Sequence, residues 1–186
     1  MLRLFVAIAL PETIRSRLAL LCGGVPGARW LSPETMHVTV RFIGEVQESR
    51  LADIDLALSS VDAPSFELML DGIGSFGSSG RPRVLWAGVA RNSALDHLHD
   101  KIESALVRAG LPPEGRKFTP HVTLARLRDA KKGRVGEFVA AHDPFQAGPI
   151  PVSEFTLFSS FLSQSGAIHA SEAIYPLERG TPDTSS

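Results

Sequence analysis

The sequence holds a single cysteine, Cys22, in 186 residues. That excludes an internal disulfide and a cysteine-rich metal cage, and makes a reducing compartment the default. Charge of one sign is lacking as well, since 19 Lys and Arg stand against 20 Asp and Glu for a net charge of −1. A chain without a basic excess does not coat long nucleic acid, although a local site for one or two phosphates remains open to it. Also missing is any stretch near the roughly 18 apolar residues that cross a membrane. The opening MLRLFVAIAL imitates a signal peptide, but Pro11-Glu12-Thr13 ends it without a clear small-residue cleavage site. It is expected to form a buried strand in a soluble, cytoplasmic protein. Hydrophobic residues at 44% and charged residues at 21% exclude a disordered chain or a fibre, and suit one domain with one core or two lobes sharing one.

Periodicity sorts the chain into strands and helices. Leu4–Ala9 reads as a central strand, followed after Pro11 by helical spacing at Ile14, Leu18, Leu21 and Cys22 that Gly23-Gly24 ends. Met36–Ile43 turns to period two, with Val38, Val40 and Phe42 on one face and His37, Thr39 and Arg41 on the other. A helix at Leu51–Leu58 and a strand at Phe66–Leu70 follow. Beyond a Gly/Ser/Pro loop come a strand at Val84–Val89 and a helix at Leu95–Leu106, opened by Ser93 and Asp96 in capping-box form. The pattern then predicts a half-polar strand at His121, a helix at Val135–Ala141, strands at Phe155–Phe158 and Ile168–Tyr175, and a frayed tail at 181–186 after a single domain over 1–180.

This order repeats. Strand, helix, histidine-bearing strand, helix and strand run from Leu4 to Leu70 and again from Val84 to Phe158. The anchor is MHVTVRFIG at 36–44 against PHVTLARLR at 120–128, an offset of 84 residues. Two copies suggest pseudo-twofold lobes, because a solenoid needs at least three short repeats. Six histidines and eight threonines give about 0.26 His-x-Thr triplets by chance, whereas two occur, both His-Val-Thr and both at matching places. Period-two geometry sets each His on the face of its Thr, and a twofold arrangement would bring both pairs to one cleft. Such a site suits phosphoryl chemistry in which one imidazole activates water, the other protonates the departing oxygen, and the hydroxyls hold non-bridging oxygens. Spacing and composition leave open which imidazole is acid and which base.

On these residues the sequence resembles the two-histidine (2H) phosphoesterase superfamily, and within it the RNA 2′,3′-cyclic phosphodiesterases also called 2′-5′ RNA ligases. The matching stretches are RLFVAIALPE at 3–12, WLSPETMHVTVRFIGEV at 30–46, GSFGSSGRPRVLWAGV at 74–89, FTPHVTLAR at 118–126 and FTLFSS at 155–160. The resemblance implies a bilobal α/β (α+β) fold with an antiparallel sheet and flanking helices in each lobe around a central cleft, and activity without a metal or other cofactor. It implies His37 as proton donor, His121 as proton acceptor, and Thr39 and Thr123 as phosphate ligands. The implied reaction hydrolyses RNA 2′,3′-cyclic phosphate ends to 2′-phosphomonoesters, with 2′-5′ ligation as its reverse. The implied partners are RNA 3′ ends, such as tRNA fragments or short oligonucleotides, with no membrane and no obligate protein partner.

Arg126 is also implied as a phosphate ligand, but its odd offset from His121 points it to the opposite face unless a bulge near Ala125 or the strand end re-aims it. Arg41, at an even offset from His37, is expected to face the site, with an ion pair to a carboxylate as its other use. A non-catalytic module gripping an RNA end in the same cleft is the alternative reading. A metal hydrolase would need carboxylates beside the histidines, and the sequence shows no evident set of them.

Four other features carry less. Gly72–Gly77 fits G-x-G-x-x-G, yet no helix follows it, so a hairpin loop is expected. His97 and His99 fall on different helix faces and read as solvated surface. His142 and His169 have no repeated partner. Phe42, Trp86, Phe118 and Tyr175 offer faces that could stack a base, although such residues more often serve a core.

Overall fold

A computed structural model describes residues 1–78 and 80–178, so the expected tail at 181–186 lies outside the described residues. The elements are β1 (Leu2–Ala9), α1 (Glu12–Leu21), β2 (Ala28–Trp30), β3 (His37–Val46), α2 (Leu51–Ser59), β4 (Phe66–Ser78), β5 (Arg81–Val89), α3 (Ser93–Arg108), β6 (His121–Leu127), α4 (Lys132–His142), β7 (Gln146–Val152), β8 (Glu154–Ser163) and β9 (Gly166–Pro176). The strands form an antiparallel sheet in the order β7-β4-β5-β6-β3-β1-β8-β9, with β2 added beside β6. Among the described residues no helix is long and apolar enough to cross a membrane.

Local chemistry accounts for most departures from the periodicity reading. The three residues of β2 are too few to show a period. Strand β7 carries Pro149 and Pro151, which suit an edge strand that pairs only with β4. The Gly72–Gly77 stretch is not a loop but continues β4 into a hairpin with β5. Gly74 is required there because a Cβ would collide with the Trp86 indole lying across it. Helix α3 is capped one residue earlier than the Ser93 box suggests, by Asn92, whose side-chain oxygen accepts the Leu95 N–H at 3.0 Å.

The duplication is present, but its fifth strands are exchanged. The strand after α2, β4, pairs with β5 of the second repeat, and β8, which follows α4 by way of β7, pairs with β1 of the first. The sheet therefore divides into β3-β1-β8-β9 and β6-β5-β4-β7, each built from both repeats. Hydrophobic periodicity specifies which residues make a strand and leaves its neighbour unspecified, so a contiguous repeat was the simpler expectation.

One continuous core joins the lobes. Val6, Val38, Val122 and Leu124 of the sheet share it with Ile14 and Leu18 of α1, Ile54 and Leu58 of α2, Leu98 and Ile102 of α3, and Val135 and Phe138 of α4. Side chains of this size contribute about 1.5–3 kcal/mol each when fully buried. A polar tie crosses the same region: Arg41 of β3, 5% exposed, donates Nε–H to Glu103 of α3, Nη1–H to the Phe42 carbonyl, and Nη2–H to the Pro112 carbonyl. Burial raises the Glu103 pKa, but hydrogen bonds from Arg41 and the Glu114 N–H outweigh it and hold the carboxyl below its usual value. Arg41→Met leaves Glu103 without its partner and is expected to lower stability by about 2–4 kcal/mol in urea denaturation, with Arg41→Met/Glu103→Leu recovering part of the loss.

Candidate active site

The lobes meet at one antiparallel pair, Val38 against Val122. These residues are 84 apart, the offset of the sequence repeat, so a local twofold axis passes between them. Opposed residues of an antiparallel pair point to the same side, and both valines are fully buried on the core face. Their neighbours His37, Thr39, His121 and Thr123 therefore emerge together on the other face. All four line one cleft of about 650 Å³. The structure thus brings together the four residues singled out by the repeat.

Each histidine-bearing strand has a β-bulge at the same place. Against β1, Ala7 pairs with Thr39 and Val6 with Arg41, so Val40 is the extra residue. Against β5, Trp86 pairs with Thr123 and Leu85 with Ala125, so Leu124 is the extra residue. A bulge places two successive residues on one face and reverses the parity beyond it. Arg126 is thereby turned into the cleft. Arg41 is turned out of it, into the core-side pair with Glu103, which corrects the expectation that it faces the site. Beyond the bulge, the β3 residue that faces the cleft is Phe42, 50% exposed. Phe42 and Arg126 are again 84 apart, so the local twofold carries an aromatic ring on one side and a guanidinium on the other.

The imidazoles are held alike and surrounded differently. His121 Nδ1–H donates to the Thr119 carbonyl at 2.7 Å, and the Thr35 backbone, at the same place in the other repeat, favours the protonated His37 ring. A carbonyl only accepts, so in His121 Nδ1 carries the proton and Nε2 is left for the chemistry. Thr39 Oγ and His37 Nε2 share a hydrogen bond of 3.0 Å. His37 lies among Phe5, stacked at 4.8 Å, Phe158 at 6.1 Å, and His169, edge-on at 5.3 Å between ring centroids. His121 meets the edge of Phe76 at 4.9 Å and lies 6.4 Å from Trp86. Burial, helped by the charges of His169 and His121, lowers the His37 pKa to about 4, against the opposing hydrogen bond of Thr35. Burial lowers His169 also.

Several residues of this cleft carried no usable signal in the sequence. Thr35 and Thr119 act through backbone carbonyls, although extending the repeat to Thr-x-His-Val-Thr marks both. Phe5 becomes a neighbour of His37 because β1 pairs with β3, and His169 because β8 and β9 continue the sheet beside β1. Arg29 of β2 lies directly opposite Arg126. Of the other candidate base-stacking residues, Tyr175 is buried and donates to Asp55 at 2.6 Å, Phe118 stacks on His99 at 4.1 Å, and Trp86 packs on Phe76 at 5.1 Å. His142 donates through Nδ1 to the Phe138 carbonyl at 2.9 Å, at the end of α4. Among the described residues no three His, Cys, Asp or Glu gather as a metal set.

Comparison with known proteins follows the duplication. The family model for "LigT like Phosphoesterase" matches twice, at residues 8–86 and 89–169. The RNA 2′,3′-cyclic phosphodiesterase of Archaeoglobus fulgidus is 32% identical over 90% of this chain and 96% of its own. That of Aeropyrum pernix is 36% identical over 78% of this chain and 84% of its own. Escherichia coli LigT complexed with 3′-AMP superposes with a TM-score of 0.77 at 29% identity, over 95% of this chain and 98% of that one.

The depressed His37 has a consequence for stability. Between its folded pKa of about 4 and the ordinary value of 6.5, the unfolded chain binds the proton and the folded chain does not. Its contribution is therefore fully present above about pH 6.5 and is lost as the pH falls toward 4, by up to about 3 kcal/mol. Urea midpoints taken from pH 7.5 to 4.5 should fall more steeply for the natural protein than for His37→Gln. Parallel slopes would show that His37 titrates normally.

Proposed function

The chain belongs to the LigT-like phosphoesterase family, and from that premise we propose that it hydrolyses RNA 2′,3′-cyclic phosphate ends to 2′-phosphomonoesters by metal-independent acid-base catalysis. The observation that carries the reading is the pair of His-Thr sets on one face of a local twofold, opening on a cleft that, among the described residues, is lined by no carboxylate. A cyclic phosphodiester set near the axis meets one imidazole on the side of the entering water and the other on the side of the departing ribose oxygen. That is the requirement of an in-line displacement.

Following the resemblance, His121 Nε2 takes the proton of water as its oxygen bonds to phosphorus. The bond from phosphorus to O3′ breaks, and His37 Nε2–H protonates that oxygen. The Thr123 and Thr39 hydroxyls hold the non-bridging oxygens, Thr39 turning from His37 to do so, and Arg126 offsets the charge of the transition state. Phe42, the twofold mate of Arg126, presents its ring to the nucleobase on the His37 side, which is also the side of the ribose oxygen that leaves. His37 is neutral at pH 7 in the free protein, because its pKa lies near 4. The phosphate charge beside it favours the imidazolium, so the proton is acquired with the substrate. A 5′-hydroxyl in place of water runs the reaction backwards and makes a 2′-5′ bond.

The pH profile follows from one proton shared by the pair. The kcat/KM profile should be a bell whose acid limb reflects the depressed titration of His37. The limbs of kcat should lie at higher pH, because the bound anion stabilises the protonated form. A profile flat from pH 4 to 9 with chemistry rate-limiting would remove the acid-base assignment.

His37→Ala and His121→Ala should each lower kcat by roughly 10²–10⁴ on a cyclic-phosphate oligonucleotide in excess chelator, and the double variant should fall short of the product. On a nitrophenyl phosphodiester, whose leaving group departs without a proton, His37→Ala should recover disproportionately and His121→Ala should not. Equal recovery would refute the assigned roles. Tight binding without turnover would make the cleft a binding module, and loss of turnover in chelator would make the protein a metal hydrolase.

A further inference from the structure

The cleft gathers more positive charge than a terminal cyclic phosphate uses. Its lining includes Arg3, Arg29 and Arg126 and, among the described residues, no aspartate or glutamate. The whole chain has a net charge of −1, so the bias is local. A nucleoside 2′,3′-cyclic phosphate carries a single negative charge. Arg3 has Glu45 at 3.6 Å beside it, whereas among the described residues neither Arg29 nor Arg126 has an ion-pair partner.

Arg29 and Arg126 are direct partners across β2 and β6. Like charges so placed, with Cβ atoms about 5 Å apart, destabilise a sheet, and an anion between or beyond them reverses the sign. The Arg29 guanidinium runs to the turn of the β8–β9 hairpin, where its Nη2 lies 3.7 Å from the position a Cβ on Gly166 would take. Ser163 and Ser165 line the cleft at that turn, with their hydroxyl oxygens 3.1 Å apart. Ser163 spends its one proton on the Gly166 carbonyl at 2.7 Å, so Ser165 is the donor in the 3.1 Å pair, and its hydroxyl reaches a ligand by turning from Ser163.

We propose that Arg29 and Ser165 form a second phosphate position, which takes the phosphate on the 5′ oxygen of the terminal nucleoside, so that the site reads the end of a strand and not an isolated cyclic nucleotide. The proposal rests on the reading that the reacting phosphate lies at the two histidines. Arg126 and Arg29 are rooted side by side on neighbouring strands, and Arg29 runs to the hairpin turn. They then serve two successive phosphates of one chain. The planar guanidinium suits either a phosphomonoester or an internucleotide diester there.

Three substrates separate these cases: a nucleoside 2′,3′-cyclic phosphate with a free 5′-hydroxyl, the same compound with a 5′-phosphate, and a dinucleotide ending in the cyclic phosphate. Both additions are expected to raise kcat/KM by about 10–100-fold, chiefly through KM, the range of a charge-assisted hydrogen bond. Arg29→Gln should abolish that ratio, while Arg126→Gln should lower all three rates and keep it. Equal kcat/KM on all three substrates, or a ratio that survives Arg29→Gln, overturns the second position and leaves the phosphodiesterase reading intact. A gain with the 5′-phosphate but none with the dinucleotide overturns strand-end recognition. If none of the three is turned over, the phosphodiesterase reading fails instead. Calorimetric affinities for the same three ligands then decide the second position, which stands if Arg29→Gln removes the contribution of the 5′-phosphate and falls if that contribution persists.

Discussion

The structure turns on one β-bridge between equivalent residues. Val38 and Val122 occupy the same place in the two repeats, and their antiparallel pairing generates the local twofold. With both valine side chains in the core, strand alternation leaves the histidines and threonines one residue away no choice but the opposite face. Shifting this bridge by one residue would bury the imidazoles and expose the valines, a change strongly opposed because Val38 and Val122 are fully buried. The site is thus a by-product of how the core closes.

Symmetry places the reacting groups, and departures from symmetry give them different surroundings. Matching bulges at Val40 and Leu124 bring Phe42 and Arg126 to equivalent points of the cleft, where one offers a π face and the other a charge. The exchange of β4 and β8 deepens the difference. Strands β8 and β9 bring Phe158 and His169 to His37, while β4 and β5 bring Phe76 and Trp86 to His121. A cleft of two identical halves would bind a substrate equally in two directions. This one sets a half-buried His37 with Phe42 on one side and His121 with Arg126 on the other.

The ties that hold the lobes are kept away from the cleft. Arg41 reaches from β3 to α3 and the Pro112 carbonyl, and Arg50 donates to the Ala109 carbonyl at the end of the same helix at 2.9 Å. Both use arginine as a buried or half-buried strut. Arg29 and Arg126 of the cleft lining, in contrast, have no ion-pair partner among the described residues. For Arg41 and Arg126 the purpose is decided by which face of a bulged strand each occupies.

What the sequence determined by itself is the duplication and its chemistry: two His-Val-Thr triplets at an offset of 84, the strands and helices around them, and the expectation of one shared cleft. These were legible because period-two alternation ties a histidine to the threonine two residues on, whatever the neighbouring strand. Arg41 and Arg126 were not legible in that way. Parity along an ideal strand sends Arg41 inward to the site and Arg126 away, and the bulges reverse both. A bulge is set by the register against β1 or β5, which the sequence of the bulged strand does not contain. Likewise His169, Arg29 and Phe5 join the cleft only through strand order, since residues far apart in sequence become neighbours when β8, β2 and β1 take their places. Tertiary pairing therefore decided which side chains surround the histidines, because the neighbour of a strand is fixed by the packing of the whole core and not by its own alternation.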